Sequence, residues 1–232
     1  MDIYIEAKGL KKNFGKFQAV NGVSLSVKKG EVLGFLGPNG AGKTTTMKML
    51  TGFLNPTSGS AHICGKLITT GKPDARRSIG YLPEGAPLYD EMSVKAFLTF
   101  IAETHKVTKN ELGNAVTTAA NALQLQPVLD QTIDTLSKGY KRRVGLAAAI
   151  IHKPDVLILD EPTDGLDPNQ KHEVRTLIET MSAERAIIIS THILEEVDAL
   201  CSRVVIINKG QIVADDTPSN LRAKSRYLNA VT

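Results

Sequence analysis

Two rhythms of apolar residues run along the chain. Val23, Leu25 and Val27 alternate with polar residues over 20–27, the pattern of a strand buried on one face. Ile3-Tyr4-Ile5 begins a similar alternation, so 3–35 reads as strands with a turn at Lys29-Gly30. The runs 31–36, 156–159 and 186–190 are nearly continuous in apolar residues, as strands covered on both faces are. A further strand over 78–82 is ended by Pro83, and a short one over 61–64 follows the turn cluster at 55–59. Steps of three and four residues predict helices over 43–52, 93–125, 137–151, 168–181 and 193–200. In the second of these Ala96, Phe97, Phe100 and Ile101 keep the step and Ser93 is the cap, while Gly113 and Asn114 blur the boundaries inside it. A hairpin over 203–207 and 211–214 turns at Asn208-Lys209-Gly210, and Thr217-Pro218 opens a last short helix.

Strands alternating with helices predict an α/β core with a largely parallel sheet. The N-terminal strands form an antiparallel β subdomain beside it, and the mostly helical stretch that follows 84 is an inserted helical subdomain. No internal repeat or long linker divides the chain, so 1–232 reads as one domain. Within it, about 1–84 and 153–224 are core plus β subdomain, about 85–152 is the helical subdomain, and 225–232 is a tail.

Composition narrows the function. A chain of 232 residues with 42 % hydrophobic residues buries a sizeable core. Its net charge of +4 is mild, and the short basic clusters at 11–12, 28–29, 76–77 and 141–143 read as solvated faces. With 5 % aromatics and no Trp, stacking platforms for bases are scarce, so no nucleic-acid partner is expected. Cys64 and Cys201 stand far apart without a CxxC, so they read as small buried hydrophobes in a reducing compartment. His62, His105, His152 and His172 show no metal-ligand spacing. The first ten residues lack a basic region followed by an apolar run and are not a secretory signal. Apolar stretches such as 146–151 and 204–207 are far shorter than the about 20 residues that span a bilayer. Service to a membrane would go through a partner.

The chemistry starts at Gly37-Pro38-Asn39-Gly40-Ala41-Gly42-Lys43-Thr44-Thr45, which fits G-x-x-x-x-G-K-[ST] between a strand and a helix. Glycines let backbone amides turn inward around anionic oxygens, and the helix N-terminus adds its positive dipole. Lys43 brings a full charge to the β- and γ-phosphates, and the Thr44 hydroxyl can ligate Mg²⁺. The strand over 156–159 ends in Asp160-Glu161, at the strand end where ligands gather in parallel sheets. Asp160 would approach that Mg²⁺, and Glu161 could take a proton from an attacking water. His192 follows the strand over 186–190 in the same way and can bond a γ-phosphate or hold the water.

With these residues in place, the sequence closely resembles the nucleotide-binding subunit of ATP-binding cassette (ABC) transporters, from about residue 3 to 224. Residues 37–45 match its Walker A motif, Leu157 to Asp160 with Glu161 its Walker B motif and catalytic glutamate, Gly165-Leu166-Asp167 its D-loop, and Ser190-Thr191-His192 its H-loop. Phe14 stands where the family stacks an aromatic on adenine. Leu136-Ser137-Lys138-Gly139-Tyr140 occupies the place of the LSGGQ signature, keeping Ser137 and Gly139 and departing at Lys138 and Tyr140. Ser137 would cap a helix whose N-terminus faces an ATP held by another subunit, and Lys138 would strengthen that anion site. Glu84 replaces the Gln of the loop that senses Mg²⁺ and touches the membrane subunit, and its carboxylate could ligate the metal.

The resemblance implies a P-loop NTPase fold, ATP and Mg²⁺ as ligands, and a head-to-tail homodimer or pair of like subunits around two ATP. It also implies a membrane permease as partner and a peripheral place on the cytoplasmic face of a bacterial or archaeal inner membrane. The stretches YLPE and LSKGY look like the ABC-2-type export branch. Pro87, Leu88, Tyr89 and Met92 would form the apolar surface that receives a permease helix, and Arg222, Lys224 and Arg226 read as a solvated face. The second reading is a soluble, non-transport ABC ATPase. Such proteins join two cassettes or insert long coiled coils, and neither is present. A third, a regulatory module that binds without hydrolysing, is opposed by Glu161.

Overall fold

A computed structural model describes residues 2–71, 74–85 and 87–224, with Asp74, Leu194 and Lys224 described by their backbone only. The tail over 225–232, Arg226 and the side chain of Lys224 therefore lie outside the described residues. The elements in chain order are β1 (Ile3–Phe14), β2 (Phe17–Lys28), β3 (Val32–Leu36), α1 (Lys43–Leu50), β4 (Ser58–Ile63), β5 (Lys66–Leu67) and β6 (Ile79–Leu82). Then come α2 (Val94–Thr104), α3 (Lys109–Ala122), α4 (Lys138–Ile150), β7 (Val156–Asp160), α5 (Pro168–Ser182) and β8 (Ala186–Thr191). The chain ends in α6 (Leu194–Leu200), β9 (Arg203–Asn208), β10 (Gln211–Asp216) and α7 (Pro218–Lys224).

The strands form an antiparallel 4-stranded sheet, β2-β1-β4-β5, and a 6-stranded sheet, β10-β9-β3-β8-β7-β6. In the second sheet β3, β6, β7, β8 and β9 pair in parallel and β10 joins β9 antiparallel. The period-2 alternation of its buried strands makes two cores. Leu33 and Phe35, Val156 and Ile158, and Ile188 point toward α1 and the antiparallel sheet. Leu36, Leu157, Leu159, Ile187 and Ile189 point to the other side, where α2 to α6 pack. Fully burying such a side chain contributes about 1.5–3 kcal/mol, so both faces must be covered. α2, α3 and α4 lie between β6 and β7 in the chain and lean on the helical side of the sheet.

Several sequence expectations shift. The helical stretch over 93–125 is two helices, and the break is not at Gly113 and Asn114, which lie inside α3. It falls at 105–108, where Lys106 takes a left-handed φ of 63° that no helix interior accepts. Ser93 caps α2 as expected, its hydroxyl accepting from the Ala96 amide. Ser58 and Gly59, read as turn, are the first residues of β4, paired to β1. Cys201 is buried, whereas Cys64 is half-buried with φ 48° at a turn. The basic cluster at 141–143 is not a solvated face, since Arg142 and Arg143 are only 7 % and 6 % exposed.

At the foot of α2, His105 stacks on His152 with ring centroids 3.6 Å apart, and His152 Nε2 meets the Ile79 carbonyl at 3.1 Å. Burial, then the neighbouring His105, pushes the His152 pKa down from 6.5 to about 4, against the opposing pull of the Ile79 contact. Between these values the unfolded chain takes up a proton that folded His152 refuses, so stability falls as pH drops from 6.5 toward 4. The full loss is about 3 kcal/mol. Urea midpoints measured from pH 7 to pH 5 should fall steeply in the wild type and less in His152→Gln.

Candidate functional site

β3 delivers the chain into the loop over 37–42, and α1 starts at Lys43. The loop can be built only from glycine at its tightest points. A Cβ on Gly37 would sit 2.3 Å from the Ile207 carbonyl oxygen, and Gly42 adopts φ 107° with its Cβ direction 2.6 Å from the Ala19 carbonyl. Gly42 offers α1 no side-chain cap, so the first amides of the helix keep their hydrogen-bonding capacity for a ligand. Lys43 is buried and folds back over the loop, its ammonium donating to the Gly37 carbonyl at 2.6 Å and the Pro38 carbonyl at 3.2 Å. The charge is thus held over the loop by groups that are themselves backbone.

β7 and β8 bring the acids to the same place. Asp160, 1 % exposed, accepts from the Thr44 hydroxyl at 3.2 Å and from the Ser190 hydroxyl. One residue on, Glu161 takes φ 51°, a conformation costing about 1–3 kcal/mol for a side chain with a Cβ. Its amide donates to the Ser190 carbonyl at 2.9 Å, which holds it there. Its carboxylate meets His192 Nδ1 at 2.9 Å. That bond, and then the carboxylate's charge, pushes the His192 pKa up.

A cleft of about 640 Å³ gathers Pro38, Asn39, Gly40, Gly42, Lys43, Thr44 and Thr45 with Glu84, Asp160, Glu161, Asp164 and His192. Gly37 and Ala41, expected among the binding residues, do not line it: Gly37 offers its carbonyl to Lys43 and Ala41 is buried. Thr44, Asp160 and Glu84 offer hard oxygens, the donor set that suits Mg²⁺.

The aromatic on the cleft wall is Phe17. Phe14 pairs with it across the β1–β2 turn, half exposed, with the Lys12 ammonium 5.3 Å from its ring centre. Sequence reasoning passed over Phe17, although the spacing of two aromatics around a Gly-Lys turn was available as a signal.

Arg142 was missed too. From the buried side of α4 its guanidinium donates to the carbonyls of Pro83 at 2.9 Å, of Glu161 at 2.5 Å and of Asp160. Burial lowers its pKa, with Asp164, Asp160, Glu161 and Glu84 pulling the other way. It braces the strained turn at Glu161 against the segment that carries Glu84.

The 137–140 motif does not line the cleft and meets it only at one edge, through Asp164. Ser137 caps α4, accepting from the Tyr140 amide at 3.3 Å. Gly139 is buried and Tyr140 packs on the helical core. Lys138 is engaged with Asp164 at 2.8 Å, an ion pair on the surface of its own chain. Among the described residues none of these four lines the cleft. Asp167 caps α5, accepting from the Gln170 amide at 2.9 Å.

A larger and mostly apolar cavity of about 750 Å³ opens beside the cleft, walled by Phe53, Tyr81, Pro87, Leu88, Phe97 and Ile101. Lys48 and Arg76 also border its mostly apolar walls, and Thr44 and Glu84 border both cavities. Tyr89 stands at 56 % exposure with its ring edge-on to Phe100, while Leu88 and Met92 are half-buried against the core. No helix among the described residues is long and apolar enough to cross a membrane.

The family described as ABC transporter matches residues 20–164. The "Probable multidrug ABC transporter ATP-binding protein YbhF" of Escherichia coli (strain K12) is 36 % identical over 222 residues, which are 95 % of this chain and 38 % of that protein. The chain thus spans well under half the length of that relative. The "Nod factor export ATP-binding protein I" of Burkholderia orbicola (strain AU 1054) is 37 % identical over 218 residues, 94 % of this chain and 72 % of that one. A solved structure of an ATP-binding subunit of an ABC transporter superposes with a TM-score of 0.88 at 29 % identity, over 95 % of this chain and 92 % of that chain. The cradle, the acid pair and these likenesses agree: the chain belongs to the ABC transporter family, among its ATP-binding subunits.

Proposed function

We propose that the chain hydrolyses ATP to energise a membrane exporter, working from the cytoplasmic face of a bacterial or archaeal inner membrane through a permease subunit. The observation that carries this is the convergence of Lys43, Thr44, Asp160, Glu161 and His192 on one cleft. Export is supported by the relatives' names, two of which specify multidrug and Nod factor transport. The units involved are a core with its β subdomain, about 1–84 and 153–224, and a helical unit, about 85–152.

In this mechanism the amides of 39–45 and the Lys43 ammonium bind the triphosphate, and Phe14 and Phe17 offer rings to the base. Thr44, Asp160 and Glu84 would hold Mg²⁺, which when bound neutralises charge on the phosphate oxygens. Glu161 accepts the proton of the attacking water. His192, through Nδ1 on one Glu161 oxygen, aims the carboxylate so that the other oxygen faces the water. The strained Glu161 backbone fixes that aim in advance.

None of Ser137, Lys138, Gly139 and Tyr140 lines the cleft of its own chain, and only Lys138 reaches its edge through Asp164, so they act on the nucleotide of a second copy or like subunit. Asp167 leads α5 beside them. ATP then joins two helix N-termini, and its cleavage releases them. Lys138 leaves Asp164 for the incoming γ-phosphate as the pair closes, an exchange made easy by the small worth of an exposed ion pair.

The 750 Å³ groove receives a permease helix, and Glu84, bordering both cavities, passes motion between them. Leu88→Asp puts charge in that groove and Tyr89→Asp on the exposed ring that packs on Phe97 beside it, and both are expected to abolish co-purification of a multi-span membrane protein from solubilised membranes. Trinitrophenyl-ATP binding checks that the fold persists. If the wild-type protein copurifies with no membrane protein, the soluble ATPase reading replaces the transporter.

A further inference from the structure

One buried carboxylate near the cleft has no part in the mechanism above. Glu196, on α6, is 1 % exposed and reaches between the loop after β7 and the end of β8. Its Oε1 accepts from the Thr163 hydroxyl, and its Oε2 accepts from the Thr191 hydroxyl at 2.9 Å. The Lys171 ammonium lies 3.7 Å from Oε1. Both threonines are themselves buried. Thr163 follows Glu161 with only Pro162 between them, and Thr191 immediately precedes His192. The Thr191 oxygen also accepts from the Ile193 amide at 3.1 Å, closing a turn around His192.

Resting on the ATPase reading above, we propose that Glu196 is a positioning residue that sets the Glu161–His192 pair by clamping the loop that follows one to the loop that carries the other. The geometry demands a bridge of this kind. Glu161 and His192 come from different strands, and His192 is largely exposed with Glu161 as its hydrogen-bond partner. Its position is therefore set by the backbone on either side, and the Thr191 hydroxyl is what ties that backbone to α6. A carboxylate is the one side chain of this length that accepts from both hydroxyls at once. In a glutamine the amide nitrogen must donate to one of them. At Thr191, whose oxygen already receives the Ile193 amide, the hydroxyl proton is then left without its acceptor.

The test uses Glu196→Gln and Thr191→Val, with Thr191→Ser as the conservative variant. Misplacing the pair should lower kcat by about ten- to a hundredfold, with KM for ATP and the Kd for trinitrophenyl-ATP within about twofold of wild type, because the cradle over 37–45 is untouched. Thr191→Ser recovers most of the turnover. Independently of activity, amide hydrogen exchange at Ile193 in the nucleotide-free protein accelerates in Thr191→Val and Glu196→Gln. Should Ile193 exchange faster while kcat holds within about twofold, the clamp exists but positions nothing, and the proposal fails. Should kcat, nucleotide affinity and thermal midpoint all fall together, Glu196 is structural and the proposal fails as well. A wild-type protein without turnover sinks the ATPase reading itself, a different result from normal wild-type turnover with unaffected variants.

Discussion

Lys43→Ala is expected to remove ATP turnover, lowering kcat/KM by about a hundred- to a thousandfold. The side chain is 8 % exposed and held by the Gly37 and Pro38 carbonyls, so its charge is largely removed from solvent screening and aimed by the backbone. Truncation takes away that charge and leaves both carbonyls without their donor. Arginine is no substitute, because its planar fork cannot follow the tight fold-back of an ammonium onto two adjacent carbonyls. Steady-state ATPase assays on a variant with a wild-type circular dichroism spectrum check the point. Turnover within about threefold of wild type would mean that the loop does not grip a triphosphate.

Glu161→Gln should lower kcat by about a hundred- to ten-thousandfold while ATP still binds. The amide keeps the shape and can still accept from His192 Nδ1, but it cannot take a proton from water. Nucleotide affinity measured with trinitrophenyl-ATP should stay within about twofold of wild type. The loss should therefore appear in kcat alone. A fall in affinity of the same size as the fall in kcat would instead make Glu161 a binding residue.

Where backbone geometry forces a residue type, the sequence was readable. Any Cβ at Gly37 or Gly42 would fall 2.3 Å or 2.6 Å from a carbonyl oxygen, so the cradle was legible as a pattern of glycines before any coordinate. The buried strands were legible through their continuous apolar runs, and Asp160 and Glu161 through their place at a strand end. What was not legible depends on partners far away in the chain. Arg142 looked like part of a basic surface cluster, because nothing local shows that the carbonyls of Pro83, Asp160 and Glu161 await it. Glu196 looked like an ordinary helix residue, because the threonines it joins come from the loop after β7 and the end of β8. The break between α2 and α3 was misplaced for a related reason. Gly113 is tolerated inside a helix at a cost of about 1 kcal/mol, whereas the left-handed turn at Lys106 is set by how α3 packs back on α2. The engagement of Lys138 with Asp164 was hidden in the same way, since the two belong to separate segments.

The central claim is that ATP is shared between the cradle of one copy and the serine-capped helix of another. The most direct measurement is the mass of the Glu161→Gln protein by sedimentation velocity in Mg²⁺ with ATP or ADP. The expected result is a species of twice the monomer mass in ATP, returning to monomer in ADP and failing to form in a Ser137→Arg background. A protein that stays monomeric in ATP across the accessible concentration range, while binding the nucleotide, contradicts it.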